Sequence, residues 1–256
     1  MTEARELPFK MSLDNSLSVW RADTFWSKEP ETIEWIKFFA LTNDYNCKVL
    51  VDVGANVGIY TLYWCSLDSS LSAISVEPSQ NNLNLLTENI FLNEFTKRVR
   101  IINTPLASQN FSGFYEESDH RPGSSSFKFY PDADLNPERG SAIRSLTLDS
   151  LFNESLGSKI LKIDVDGNDF DILKGAEKSL IAGDILSVLI ESSIEQQNEI
   201  KKYLEKFGYE SDKRFNGTVN HSDVRRIAKG NIERNRIYTN FSLLNSNFLD
   251  KKRFYN

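Results

Sequence analysis

Lys48-Val-Leu-Val-Asp-Val-Gly-Ala-Asn-Val-Gly-Ile-Tyr60 is the stretch that decides the fold. Val49 to Val53 is apolar and β-branched apart from Asp52, as a strand buried on both faces should be. Gly54 follows at once, then Gly58, then apolar residues at helical spacing: Ile59, Leu62 and Tyr63. Strand, glycine turn and helix form the first half of a Rossmann-type unit. Its glycines permit a sharp turn and let a ligand approach the main chain.

What the loop lacks narrows what it binds. A dinucleotide loop reads G-x-G-x-x-G and hugs a pyrophosphate. Here Ala55 and Asn56 follow Gly54, giving G-x-x-x-G, and no Lys-Ser/Thr pair follows Gly58 as in a P-loop. Asp52, beside the turn, repels phosphate but can hold an ammonium group, directly or through water. Glu77 closes the run Leu71-Ser-Ala-Ile-Ser-Val76, and an acid at the end of a second strand can accept both ribose hydroxyls. Together these fit S-adenosylmethionine, with Asp52, Gly54, Ala55, Asn56, Gly58, Tyr60 and Glu77 as candidate contacts. The bland alternative is an ordinary βα turn followed by a surface Glu.

A chain of 256 residues makes one large domain or one domain with a cap. We expect a single domain over 1–256. Residues 1–45 serve as an N-terminal arm and a helix on the core, and residues 108–145 as an insertion. A net charge of −6 argues against broad nucleic-acid binding. Cys47 and Cys65 show neither metal-ligand spacing nor a disulfide framework, which suits a reduced, cytoplasmic setting. No apolar run approaches the ~20 residues of a membrane span. Glu3, Glu6 and Asp14 interrupt the start, so no signal peptide is expected.

Along the chain, residues 1–20 read as a loose arm and Thr32 to Phe39 as a helix beside the glycine loop. Ser79 caps a helix running to about Phe95, and Val99 to Ile102 is a third strand. Asn103 to Ala107 then falls under the adenine, making Asn103 a further donor contact. Phe111 to Glu116 and Ser126 to Tyr130 read as short strands in a turn-rich insertion. That insertion is expected to supply much of the acceptor pocket, through His120, Arg121, Ser124 and Ser125.

Ile160 to Ile163 is a central strand ending at Asp164 and Asp166, followed by a helix from Phe170 through Leu180. Ile185 to Ile190 is the next strand, ending at Glu191. The helix from Ile194 to Phe207 stops at Gly208. Tyr209 to Val219 and Ile237 to Leu244 read as a closing antiparallel pair. The loop between them carries Arg225, Arg226 and Lys229 and suits a pyrophosphate or plain solvation. The whole is α/β: a mostly parallel sheet, helices on both faces and an antiparallel C-terminal strand. Asp52 to Gly58, Glu77, Asn103, Asp164, Asp166 and Glu191 gather at the carboxyl edge, where such sheets bind ligands.

Val51-Asp-Val-Gly-Ala-Asn-Val-Gly-Ile-Tyr-Thr-Leu62, Val76-Glu-Pro-Ser79, Ser145-Leu-Thr-Leu-Asp-Ser-Leu151 and Leu161-Lys-Ile-Asp-Val-Asp-Gly-Asn-Asp-Phe-Asp-Ile-Leu-Lys-Gly-Ala176 together resemble the FkbM-type S-adenosylmethionine-dependent methyltransferases. The blocks span about residues 45–195. Where the family usually reads Glu-Gly-Ala-Glu, this chain has Asp166-Gly-Asn-Asp169. The resemblance implies a Rossmann-like class I methyltransferase fold and O-methylation, often of sugars in polysaccharides or of secondary-metabolite hydroxyls.

A sugar hydroxyl attacks well only as it loses its proton, so a carboxylate base is expected. Asp164 or Asp166 is favoured by position, with Glu191 and His120 as other choices. Alternatively, Asp164 orients the donor's amino-acid end. The acceptor is expected to be a sugar or glycan, nucleotide- or lipid-linked in some settings. No metal is required by the pattern, although the two aspartates with Glu191 could take a divalent ion. Competing functions are a secondary-metabolite O-methyltransferase, a nicotinamide-dependent sugar-modifying enzyme and a non-catalytic scaffold that keeps the fold.

Overall fold

A computed structural model describes residues 6–42, 45–131, 141–152, 157–165, 167–216 and 234–244. The quoted stretch forms β1 (Val49–Val53), a turn and α3 (Ile59–Leu67), preceded by α1 (Ser16–Lys28) and α2 (Pro30–Leu41). Every residue of β1 is buried, as its unbroken apolar run requires. Next come β2 (Ser72–Val76), α4 (Gln80–Leu92) and β3 (Val99–Ile102). After the insertion come α5 (Leu148–Leu151), β7 (Lys159–Ile163), α6 (Asp169–Lys174), α7 (Glu177–Ala182) and β8 (Ile185–Ser192). The chain continues through α8 (Ile194–Glu205), β9 (Glu210–Ser211), α9 (Lys213–Asn216) and β10 (Arg234–Thr239).

The main sheet has the order β3-β2-β1-β7-β8-β10-β9. Its first five strands are parallel, and β10 runs antiparallel to both β8 and β9. This is the class I methyltransferase fold, with the strand order reversing beside β1. Trp35, Phe39, Leu62 and Leu86 pack in one core cluster; Leu148, Leu173 and Leu204 pack in another. Trp35 is fully buried, and its indole N–H donates to Ser187 Oγ at 2.9 Å. Burying the indole satisfies its one donor and ties α2 to the sheet beneath it.

The register sets the site. Asp52 on β1 lies opposite Lys162 on β7, so both strands end level. The insertion forms its own antiparallel sheet of β4 (Ser112–Glu117), β5 (Phe127–Pro131) and β6 (Ser141–Arg144), ordered β5-β4-β6.

Three expectations change. Residues 16–20, read as loose arm, begin α1. Asn15 caps it, accepting from Leu17 N and Ser18 N, while Ser18 Oγ accepts from Asn15 N. The helix expected from Phe170 through Leu180 breaks into α6 and α7 at Gly175, where a Cβ would stand 2.5 Å from Ala107 O. The backbone of the neighbouring loop passes too close for any side chain. The closing pair is shorter than expected: residues 213–216 are helical, and β10 ends at Thr239 before a helical turn over 241–244. Arg225, Arg226 and Lys229 lie outside the described residues, as does Asp166.

Candidate active site

The glycine turn is welded to both neighbouring strands. Gly54 N and Ala55 N both donate to Val76 O at 3.0 Å, tying the turn to the end of β2. Gly54 has φ +77, and a Cβ built there would lie 2.0 Å from Asp164 O. Only glycine allows this close approach of the β1 turn to the end of β7. Asn56 also adopts a left-handed conformation, at φ 53. That turns its N–H towards Glu77 Oε2, 2.8 Å away.

Glu77 is 5% exposed and also accepts from Ser79 N at 2.9 Å. Burial pushes its carboxyl up to about 7 against the pull of these amide donors. Glu77 lines a cleft of about 260 Å³ whose walls include Gly54, Asn56, Asp164 and Glu191. Beside it opens an apolar slot formed by Val76, Pro78, Leu106, Phe127 and Ile172, and Gly54 lines both spaces. An apolar slot for a planar base, next to a carboxylate for ribose hydroxyls, fits S-adenosylmethionine. Asn103 is exposed and lines neither space; Pro105 and Leu106 of the same turn line the slot instead.

Beneath the cleft lies a chain of charges. Lys162 is 1% exposed, with Nζ 2.8 Å from Asp164 Oδ2 and 3.7 Å from Asp52 Oδ1, and it stands over the Tyr60 ring at 5.1 Å. Burial lowers its proton affinity, but Asp164 and Asp52 outweigh that and raise it above the ordinary lysine range. Asp164 keeps 26% of its side chain open. Burial opposes its ionisation, yet Lys162 and Lys28 hold it well below the usual carboxylate range. It hydrogen-bonds Glu191, whose carboxyl is pushed up by burial and by the Asp164 charge. Within the pair the proton is thus favoured on Glu191 and the charge on Asp164.

Asp52 does not face the cleft. It is fully buried, accepts from Thr61 Oγ1 at 2.8 Å, and its ammonium partner is the protein's own Lys162. Burial raises its carboxyl, and Lys162 opposes the rise. The expectation that it holds a ligand's ammonium meets this geometry: its carboxylate faces Lys162 of the neighbouring strand and not the cleft. Tyr60 likewise serves the protein, donating to Glu29 Oε2 at 2.6 Å, while its ring borders a small pocket beside the turn.

The outer wall is built by backbone capture of the insertion. Arg21 donates to Gly123 O through Nε at 3.0 Å and Nη2 at 2.6 Å, and Asn15 Nδ2 donates to Pro122 O at 3.0 Å. Asn82 accepts from Gly123 N at 2.7 Å and donates to Ser124 O at 3.0 Å; Asn56 Nδ2 donates to the same carbonyl at 2.8 Å. Ser124 and Ser125 consequently line the cleft. His120 and Arg121 do not. His120 is exposed near Glu117, and Arg121 is exposed and forked onto Asp119. Sequence reading missed Arg21, Lys28, Asn82, Phe127 and Lys162. The one signal for the first two was the capping pattern Asn15-x-x-Ser18, which announces a helix.

Among structures, the METTL16 methyltransferase domain matches at 12% identity, covering 91% of this chain and 73% of that one, with a TM-score of 0.49. The candidate RNA methyltransferase PH1948 of Pyrococcus horikoshii matches at 15% identity over 79% of each chain, TM-score 0.42. TrmK of M. capricolum, in complex with S-adenosyl-homocysteine, matches at 13% identity over 70% of this chain and 58% of that one, TM-score 0.43. No curated protein matches in sequence. The family model described as the methyltransferase FkbM domain matches residues 52–211, from the buried aspartate of β1 to the end of β9. The chain belongs to the FkbM methyltransferase family, whose methyl donor is S-adenosylmethionine.

Proposed function

We propose that this chain is an O-methyltransferase acting on a hydroxyl of a sugar or glycan. The observation that carries this reading is the Asp164–Glu191 carboxyl pair in a polar cleft beside the glycine turn. The bound donor supplies a methyl group activated by its sulfonium. The apolar slot holds the adenine, Glu77 accepts the ribose hydroxyls, and Asp164 holds the donor's ammonium. Glu191, once ionised, takes the hydroxyl proton as the acceptor oxygen gains the methyl. Its raised proton affinity suits it to that task better than Asp164, which Lys162 keeps ionised and weakly basic. Turnover should therefore rise with pH as Glu191 ionises. Asn56, Asn82, Ser124 and Ser125 offer donors and acceptors to a polyhydroxylated acceptor.

The test is methyl transfer from labelled donor onto a panel of sugars, nucleotide-sugars and glycolipids, alongside phenolic metabolites and RNA. Label on a sugar hydroxyl supports the reading. Label only on RNA or phenols sinks it.

A further inference from the structure

We infer that α1, which precedes the family-matched residues, carries the site for the donor's α-carboxylate, formed by Arg21 and Lys28. The inference rests on the donor orientation proposed above. Three neighbouring spaces are all lined by Gly54: the apolar slot, the cleft with Glu77, and a small pocket beside the turn. With the adenine in the slot and the ribose at Glu77, the methionine end runs past Gly54 towards that pocket. There Arg21 and Lys28 from α1 face Asp164 and Lys162 across the turn. A zwitterionic amino-acid group needs one carboxylate and at least one cation. Asp164, held ionised, meets the ammonium, and α1 meets the carboxylate.

Arg21 has charge to spare. Its Nε and Nη2 are spent on a neutral carbonyl, Gly123 O, and among the described residues it makes no ion pair. A half-buried guanidinium that lines the cleft and has no ion pair among the described residues can receive a carboxylate. Lys28 sits one edge further on, its Nζ 2.5 Å from Glu29 Oε1 and its side chain 36% exposed. It already acts on Asp164 through space. Lys162 cannot take the role, because Asp52 and Asp164 flank it and it is 1% exposed.

The experiment is calorimetric binding of two ligands to the full chain: S-adenosylhomocysteine, and 5′-methylthioadenosine, which has the same adenosine but no amino-acid group. Arg21→Gln keeps an amide donor for Gly123 O, and Lys28→Gln is the second variant. Each should raise the dissociation constant for S-adenosylhomocysteine roughly tenfold, the scale of one charge-assisted hydrogen bond, and leave 5′-methylthioadenosine within about twofold. Equal weakening of both ligands would mean that α1 merely props the cleft, and would overturn the assignment. So would unchanged affinity for both ligands with a raised acceptor KM, which would give these cations to an anionic acceptor. A parent chain that binds neither ligand would sink the donor orientation itself, a different failure from either variant result.

Discussion

The two walls of the cleft are built on opposite principles. The inner wall, at the ends of β1, β2, β7 and β8, is a packed sheet edge whose titratable groups are paired, Asp52 and Lys162 buried beneath and Asp164 and Glu191 half-buried at the cleft. The outer wall is α1 and the 122–125 segment, joined by side-chain hydrogen bonds to backbone carbonyls rather than by a core. α1 buries little, chiefly Phe25, and exposes 45% of Trp20. The difference teaches where rigidity is placed. The groups proposed to meet the donor's ribose and ammonium and to move the proton stand at strand ends, while those proposed for the donor's carboxylate and the acceptor hang on polar staples that cost less to open.

The inner wall should break hardest. Lys162→Met leaves two buried carboxylates without their cation. Removing one partner of a buried pair costs about 3–5 kcal/mol, against which the flanking proton uptake by Asp52 gives partial relief. Urea unfolding should show that loss at pH 7 and a smaller one at pH 5, where protonation of the stranded acids is easier. A stability change under about 1 kcal/mol at both pH values would show that the lysine does not neutralise this edge.

Next come the two carboxyls, which should separate. Glu191→Gln should lower turnover roughly 10²-fold with little change in S-adenosylhomocysteine affinity, the mark of a lost general base. Asp164→Asn should instead weaken that affinity first. Single-turnover rates and calorimetry distinguish the two variants. A reversed pattern would return the base to Asp164, favoured together with Asp166 from strand order alone.

The inner wall was legible because its parts are local in sequence. Val49–Val53, the glycines and Glu77 form a short pattern, and the apolar runs of β7 and β8 place Asp164 and Glu191 at the same edge. What the pattern could not give is that Asp52 faces inward. A carboxylate in a strand reads the same whether its ammonium partner is a ligand or Lys162 on the next strand. The outer wall was illegible for a different reason. Arg21 meets Gly123 and Asn82 meets Ser124 across long separations, through main-chain atoms that every residue carries. The slot is equally scattered, since Phe127 and Ile172 come from segments with no shared periodicity. α1 lacked a clear apolar stripe, so its cap was the one available sign.

Asn82→Ala sharpens the contrast. It removes the acceptor for Gly123 N and a donor to Ser124 O, at about 1–3 kcal/mol for two such bonds. If the outer wall opens independently, most of that cost should appear as faster hydrogen exchange at residues 123–126 and a higher acceptor KM. Global unfolding should move less. An equal loss in global stability would show the two walls to be one cooperative unit.

The smallest effect should come from Glu77, which joins the walls. Its carboxyl is pushed up to about 7 by burial, above its ordinary range. A group whose folded value is raised stabilises the protein below its unfolded value near 4.5 and loses that contribution as pH rises through about 7. The ligand-free chain should therefore lose stability from this group between pH 5 and pH 8. Donor binding should run the other way, because ribose hydroxyls donate best to the ionised carboxylate. S-adenosylhomocysteine should bind more weakly at pH 6 than at pH 8, by a factor on the order of ten, or about 1.4 kcal/mol. Glu77→Gln should flatten this dependence and bind at the level the parent shows at low pH. An affinity independent of pH in the parent would mean that Asn56 N and Ser79 N already keep Glu77 ionised throughout, and that burial at the end of β2 is weaker than the hydrogen bonds that oppose it.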